Sequence, residues 1–137
     1  MNLLGKTVVV TGVSSGIGAR VVQLASYCGA NVFGMDRVAP ASTQSAFVPV
    51  DLSSEASIDE AVRELPDSVD ALLNIAGVSS VQGAAMTLSI NFYGLRYLTQ
   101  QLSSRMQRGG SVVNIASIAS RGWRDNTRVQ TQSFQAC

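Results

Sequence analysis

The chain has 137 residues, 46% of them hydrophobic and 14% charged, with a formal net charge of +1 at pH 7, which suits one domain with its own core and is too little for two. So small a charge gives no reason to expect nucleic acid or an anionic membrane surface as partner. With no histidine, and with Cys28 and Cys137 as the only cysteines, a histidine-based triad and the usual zinc sites are excluded.

Met1 to Lys6 run straight into a short apolar strand, without the charged start, apolar stretch and cleavage site of a signal peptide. No uninterrupted apolar run approaches the roughly 20 residues of a membrane helix. A cytoplasmic, reducing location is therefore the expectation, with no disulfide. Arg121, Arg124 and Arg128 gather near the C-terminus and read as a solvated basic face.

In chain order, Thr7 to Val10 form a β-branched run typical of a strand buried on both faces. A helix follows, with Ile17, Val21, Leu24, Ala25 and Cys28 expected on one apolar face. Ser14 or Ser15 can cap its start and Gly29 suits its end. Asn31 to Met35 read as a second strand and Ala46 to Val50 as a third. A helix is expected from about Glu55 to Leu65, with acids in its first turns and Pro66 just beyond. Val69 and Asp70 lead into a fourth buried strand at Ala71, Leu72 and Leu73. A longer helix over about Met86 to Met106 should end at Gly109-Gly110, before a fifth strand from Ser111 to Ile115. From Arg121 onward the pattern fades into a polar, irregular tail.

Strands alternating with helices imply parallel crossovers, hence an α/β fold with a doubly wound parallel sheet covered on both faces. Residues 1–120 would form this domain and 121–137 the tail.

The turn Thr11-Gly12-Val13-Ser14-Ser15-Gly16-Ile17-Gly18 joins the first strand to the first helix. Glycines let the backbone turn tightly and approach a pyrophosphate, and the helix start offers unpaired N–H groups to the phosphates. A lone glycine triplet is a weak signal, since glycine also serves simple turns. Here the triplet follows a strand, opens a helix and lies in a β-α-β unit, the context that marks a dinucleotide site. Asp36 ends the second strand, where a carboxylate can accept hydrogen bonds from the adenosine ribose and repel a 2′-phosphate. Arg37 is the one feature favouring NADP, and NAD is the expected cofactor.

These residues resemble the short-chain dehydrogenase/reductase family, whose glycine spacing is Thr-Gly-x-x-x-Gly-Ile-Gly. Four further stretches are similar, in order. Asp51-Leu52 resembles the adenine-contacting pair, which implies that Asp51 reaches the adenine amino group. Asn74-Ile75-Ala76-Gly77 resembles the Asn-Asn-Ala-Gly element, with Ile75 in place of the second asparagine. Asn91 matches the active-site asparagine of the fourth helix, and Asn114-Ile115-Ala116-Ser117 matches the element that carries the catalytic serine at its last position. The resemblance covers about residues 5 to 120. It implies a Rossmann-like sheet of about five strands in the order 3-2-1-4-5, without the family's last strands. Asp36-Arg37 and the Ser-Ile-Ala-Ser-Arg-Gly stretch from Ser117 look most like bacterial coniferyl alcohol dehydrogenases and 3α-hydroxysteroid dehydrogenases.

Two of these positions can also be weighed without the family. Leu88, Asn91, Leu95, Leu98, Leu102 and Met106 fall on one helical stripe in which only Asn91 is polar. A buried amide there either bonds nearby backbone or faces a cleft and holds a water; the resemblance favours the second. Ser117 lies just past the carboxyl end of a strand, where open α/β sheets place their ligands, although a serine there is more often a turn residue or cap. Asn74 and Asn114 have a structural reading, tying strands together.

The family's proton-transferring Tyr-x-x-x-Lys pair is missing. Tyr27, Tyr93 and Tyr97 are the only tyrosines, none has lysine four positions on, and Lys6 is the sole lysine. The expectation is therefore a truncated or frame-shifted product. By resemblance it is an NAD(P)-dependent oxidoreductase interconverting a secondary, steroid or aromatic alcohol and a carbonyl, inactive by itself. The alternative is a non-catalytic module that binds NAD or a partner subunit. The resemblance also implies a small-molecule substrate and self-association through the helix around 86–106.

Overall fold

A computed structural model describes residues 3–41 and 45–118. Arg121, Arg124, Arg128, Cys137 and the irregular tail lie outside the described residues. The order is β1 (Thr7–Thr11), α1 (Gly16–Tyr27), β2 (Asn31–Asp36), β3 (Ala46–Pro49), α2 (Glu55–Glu64), β4 (Val69–Asn74) and a 3-10 turn (Ser80–Gln82). A helix follows in three segments, α3 (Ala84–Leu88), a π turn (Ser89–Gly94) and α4 (Leu95–Leu102), before a 3-10 turn (Ser103–Arg105) and β5 (Met106–Asn114).

The five strands pair in the order β3-β2-β1-β4-β5, all parallel. Parallel strands cannot be joined by hairpins, so each connection crosses a face of the sheet and covers it. Two hydrophobic clusters result. One unites Val9, Met35, Leu72, Ile58, Leu98 and Leu102 on the α2/α4 side. The other unites Val8, Val10, Val32 and Val22 on the α1 side. Consecutive valines of β1 thus face opposite clusters, as the period of a strand requires, and all three are essentially inaccessible to solvent.

Helix ends and edges are fixed by particular side chains. Ser54 caps α2, its side chain accepting from Ser57 N–H, and Glu55 lies in the first turn. At the other end of α2, Arg105 donates to the carbonyls of Val62 (2.7 Å) and Leu65 (2.9 Å), placing a cation at the negative pole of the helix. Lys6 and the Thr7 N–H both bind the Asp70 carboxylate, each at 2.9 Å, tying β1 to β4 at their amino ends. Where the helix passes the loop after β3, Gly94 is buried so closely on Leu52 that a methyl group there would collide with the Leu52 carbonyl.

Three expectations are corrected. On α1 the sheet-facing residues are Gly18, Val22 and Ala25, while Ile17 and Leu24 are 60% and 62% exposed. The face is turned by about one residue because Gly18, with no side chain, lets the helix settle against Gly12. On the long helix, Leu88 and Asn91 are exposed and the buried positions are Ile90, Gly94, Leu98 and Leu102. The π turn widens the helix locally, so buried residues recur every four positions and the α-period places Asn91 on the wrong side. Finally, Gly109-Gly110 do not end that helix. They fall inside β5, in the irregularity where the β4 register passes from Val69↔Met106 to Ala71↔Ser111. β5 forms an edge of the sheet, with its Val112 and Val113, and Ile115 just past its end, between 41% and 49% exposed.

Candidate functional site: a cleft at the carboxyl ends of the strands

The glycine turn, Asp36, Asp51, the segment after Asn74, and Ser117 come from distant parts of the chain. The parallel order brings all of them to the same end of the sheet, since each stands at or just past the carboxyl end of a strand. A cleft of about 310 Å³ opens there.

One wall is the glycine turn. Gly12 has φ +78°, and a Cβ on it would stand 2.8 Å from Cα and N of Ala76, so backbone meets backbone where β1 and β4 end. Gly18 repeats this one level up, its Cα turned against the Gly12 carbonyl. Ser15 occupies the cap position of α1, yet its side chain makes no capping bond, and no acidic residue lies in the first turn. The first N–H groups of α1 are therefore met by no capping side chain and no acid of the helix's own first turn. Gly12, Ser14, Ser15, Ile17 and Gly18 all line the space. Gly16, at φ +58°, shapes the turn from outside it.

Opposite lies the end of β2. Asp36 Oδ2 accepts from the Ser14 N–H at 3.0 Å and Oδ1 from the Arg37 N–H at 2.7 Å. The carboxylate thus spans from the strand end to the mouth of the glycine turn, and Arg37 lines the cleft beside it.

Asp51 and Leu52 form the next part of the rim. Asp51 Oδ1 accepts from both the N–H (2.9 Å) and the hydroxyl (2.7 Å) of Ser53. These two bonds hold the Asp51 carboxyl below its ordinary pKa of 3.8, with a smaller contribution from the charge of Arg37. The Lys6 ammonium and the Thr7 N–H do the same for Asp70. On Tyr97 the effect is opposite: its hydroxyl donates to Asp59 at 3.0 Å, and that bond, with desolvation and the nearby carboxylates, raises the phenol above 10.0. The depressed carboxyls contribute stability that is present above the unfolded value of 3.8 and lost as pH falls through their folded values. The raised phenol contributes stability present below 10.0 and lost as pH climbs through its folded value. Melting temperature plotted against pH should therefore be flat between those limits and fall on both sides; a rise on acidification below 3.8 would contradict these assignments.

Thr11 of the glycine turn and Asn74 of the Asn-Ile-Ala-Gly element, both candidates for cofactor contact by resemblance, lie beneath the cleft, 1% exposed. Thr11 Oγ1 accepts from the N–H groups of Ile75 and Ala76, each at 3.0 Å, and so clamps the two strand ends that support the floor. Asn74 donates to Asn114 Oδ1 (2.9 Å) and Thr99 Oγ1 (3.1 Å), joining β4, β5 and α4. Ala76 and Gly77 do line the cleft.

Asn91 is exposed, and its amide bonds the Val78 backbone twice, accepting from N–H and donating to the carbonyl, both at 2.8 Å. That arrangement is the backbone-bonding alternative for this residue, and it fixes the wall where Val78 borders the cleft. Ser117 is exposed just past β5. Neither residue lines the cleft itself.

Sequence reasoning missed the apolar lining: Met35, Val50, Ile75, Val78 and Ile90. The first four adjoin residues already singled out, Asp36, Asp51, Asn74 and Gly77, so adjacency could have found them. Ile90 reaches the site from the π turn, which no local pattern announces. Among the described residues there is no cluster of His, Cys, Asp or Glu fit to hold a metal, and no helix is long and apolar enough to cross a membrane.

A family model described as short chain dehydrogenase matches residues 6–128. The chain belongs to the short-chain dehydrogenase family. This short-chain dehydrogenase is 46% identical over 123 residues to the coniferyl-alcohol dehydrogenase of a Pseudomonas species, covering 90% of this chain and 48% of that protein. It is 32% identical over 145 residues to the rhamnolipids biosynthesis 3-oxoacyl-acyl-carrier-protein reductase of Pseudomonas aeruginosa, covering 86% of this chain and 57% of that one. Among solved structures, the NADP active-site complex of Pseudomonas aeruginosa RhlG superposes with a TM-score of 0.75 at 32% identity, over 87% of this chain and 56% of that chain. The chain spans about half the length of the curated relatives it matches.

The family membership accounts for the sheet order and for the glycine turn at the head of α1. Short-chain dehydrogenases use NAD or NADP, and the residues around this cleft fit such a dinucleotide: an uncapped helix start for phosphate, and carboxylates at Asp36 and Asp51 for hydroxyl and amino donors.

Proposed function

We propose that this short-chain dehydrogenase binds NAD in preference to NADP, and that it supplies the cofactor-binding part of an oxidoreductase acting on an alcohol/carbonyl pair. The observation that carries the reading is the Asp36 carboxylate, bonded to Ser14 N–H at the mouth of the glycine turn on the rim of the cleft. Ribose hydroxyls are donors that suit this position, and a 2′-phosphate would bring like charge against it. Asp51 is assigned to the adenine amino group, with the apolar Val50 and Leu52 beside it. The pyrophosphate lies at the start of α1, where N–H groups meet anions without a competing side chain.

When bound, NAD supplies the hydride acceptor. Ser117 is assigned to the substrate oxygen, and Asn91, through Val78, to holding the cleft wall near it. The match to a coniferyl-alcohol dehydrogenase favours an aromatic alcohol as substrate over a steroid. A cytoplasmic location and a small-molecule substrate belong to the same proposal, and so does self-association through the helix around 86–106.

Proton transfer needs a group of tuned pKa within hydrogen-bond reach of the substrate and typically contributes roughly 10²–10⁴-fold. None of Tyr27, Tyr93 and Tyr97 has a lysine four positions on. A polypeptide of these 137 residues is therefore expected to bind NAD with negligible turnover. Calorimetric titration with NAD and NADP, followed by an assay of coniferyl alcohol oxidation at saturating NAD, tests both halves. Absence of heat with either dinucleotide would remove the binding reading, and brisk oxidation would remove the claim of inactivity.

A further inference from the structure

Asp51 is held by a small serine network that lies outside the cleft. Ser53 is exposed, and it is absent from the lining that includes Asp51. Its N–H and its hydroxyl converge on the same carboxylate oxygen, Oδ1, at 2.9 and 2.7 Å. The main chain of Asp51 is anchored separately, its N–H donating to Ser57 Oγ at 3.0 Å. Ser57 N–H in turn donates to the Ser54 cap of α2 at 3.3 Å. The backbone of Asp51 is thus tied to the first turn of a helix, while its side chain is pinned at one oxygen by two donors on the outer side.

An unpinned aspartate on a rim samples several rotamers, and binding must then select one. Two donors on Oδ1 remove that choice and leave Oδ2 to accept from a donor in the cleft that Asp51 lines. We propose that Ser53 is a positioning residue for base recognition, orienting the Asp51 carboxylate so that the dinucleotide site selects adenine over bases carrying a carbonyl at the same position. The inference rests on the assignment of Asp51 to the adenine amino group. The lowered pKa of Asp51, caused first by the Ser53 hydroxyl, accords with the geometry, because a donor to the ionised form keeps an acceptor ready for an amino group.

The test is titration of the full chain and its variants with NAD and with nicotinamide hypoxanthine dinucleotide, which has a carbonyl where adenine has its amino group. The unsubstituted chain should prefer NAD by about tenfold, the scale of one charge-assisted hydrogen bond. Ser53→Ala keeps the backbone N–H but loses the hydroxyl. It should shrink the preference to about threefold or less by weakening NAD alone, and Ser53→Thr should restore it. Carbon NMR of the Asp51 carboxyl should show its titration moving up toward 3.8 in Ser53→Ala and not in Ser53→Thr. A full preference retained in Ser53→Ala, while Asp51→Asn abolishes or reverses it, would overturn the role of Ser53 alone. A preference also retained in Asp51→Asn would overturn the adenine assignment itself, and the present inference with it.

Discussion

Replacing Gly18 with alanine is expected to destabilise the fold by about 2 kcal/mol or more, although helix propensity alone predicts the opposite sign. Alanine is favoured over glycine in a helix interior by roughly 1 kcal/mol. Gly18, however, is a buried residue of α1 whose added methyl would be driven into the carbonyl of Gly12, with the Thr11 carbonyl 3.3 Å away on the same side. Overpacking costs about 1–3 kcal/mol even where side chains can shift. Here the obstacle is backbone, and Gly12 cannot yield because it abuts Ala76, whose Cα and N would lie 2.8 Å from a Cβ placed on Gly12, so the helix has to move off the strand. The melting temperature should fall on the order of 5–10 °C. NAD affinity should drop at least about tenfold, because the N–H groups at the start of α1 move with the helix. An alanine variant that melts at or above the parent temperature would show that propensity wins and that the close approach is not required.

The second large effect concerns cofactor choice. Asp36→Ala should weaken NAD by about 10–100-fold, the range of one to two charge-assisted hydrogen bonds. The same variant should bind NADP more tightly than the parent does, inverting the ratio of dissociation constants. Two changes act together. The carboxylate that would face a 2′-phosphate is gone, removing a repulsion on the order of a few kcal/mol before solvent screening. Arg37, which lines the same cleft, then becomes the dominant charge at that end. Part of the loss for NAD will come from the protein itself, since Asp36 also accepts from the Ser14 and Arg37 N–H groups and their release loosens the turn. Adding Arg37→Ala to Asp36→Ala separates the terms: the NADP gain should disappear while the NAD loss persists. Unchanged NAD affinity in Asp36→Ala would move the ribose away from this carboxylate, and with it the preference for NAD. The NADP complex among the similar structures makes this a discriminating measurement, because the family accommodates both cofactors.

Much of this site was legible before any coordinates. Most of the glycine turn, Asp36, Arg37, Asp51 and Leu52, Ala76 and Gly77 border the cleft. The turn and Asp36-Arg37 carry local marks, glycines after a strand and charges closing one, whereas Asp51, Leu52, Ala76 and Gly77 stand out only through their resemblance to the family's motifs. Thr11 and Asn74 carry the same kinds of mark, yet they point beneath the floor. A strand places successive side chains on opposite sides, and only the pairing of β4 with β1 and β5 decides which side is cleft and which is core. Asn91 is the sharper case. An α-helical wheel buries it among leucines, whereas the π turn from Ser89 to Gly94 turns it outward onto the Val78 backbone and buries Ile90 instead.

What the amino-acid order alone determined is the set of short-range commitments. These are the alternation of strands and helices, the glycines that bend the chain after β1, and the acids at the strand ends, because propensity, turn chemistry and hydrophobic period act within a few residues. Only the assembled sheet decided which face of each helix is buried, where the long helix widens, and which strand-end side chains share one cleft. Those outcomes depend on close contacts between segments far apart in the chain, Gly18 on Gly12 and Gly94 on Leu52 among them, and a few tenths of an ångström of backbone approach leaves no trace in a hydrophobic pattern.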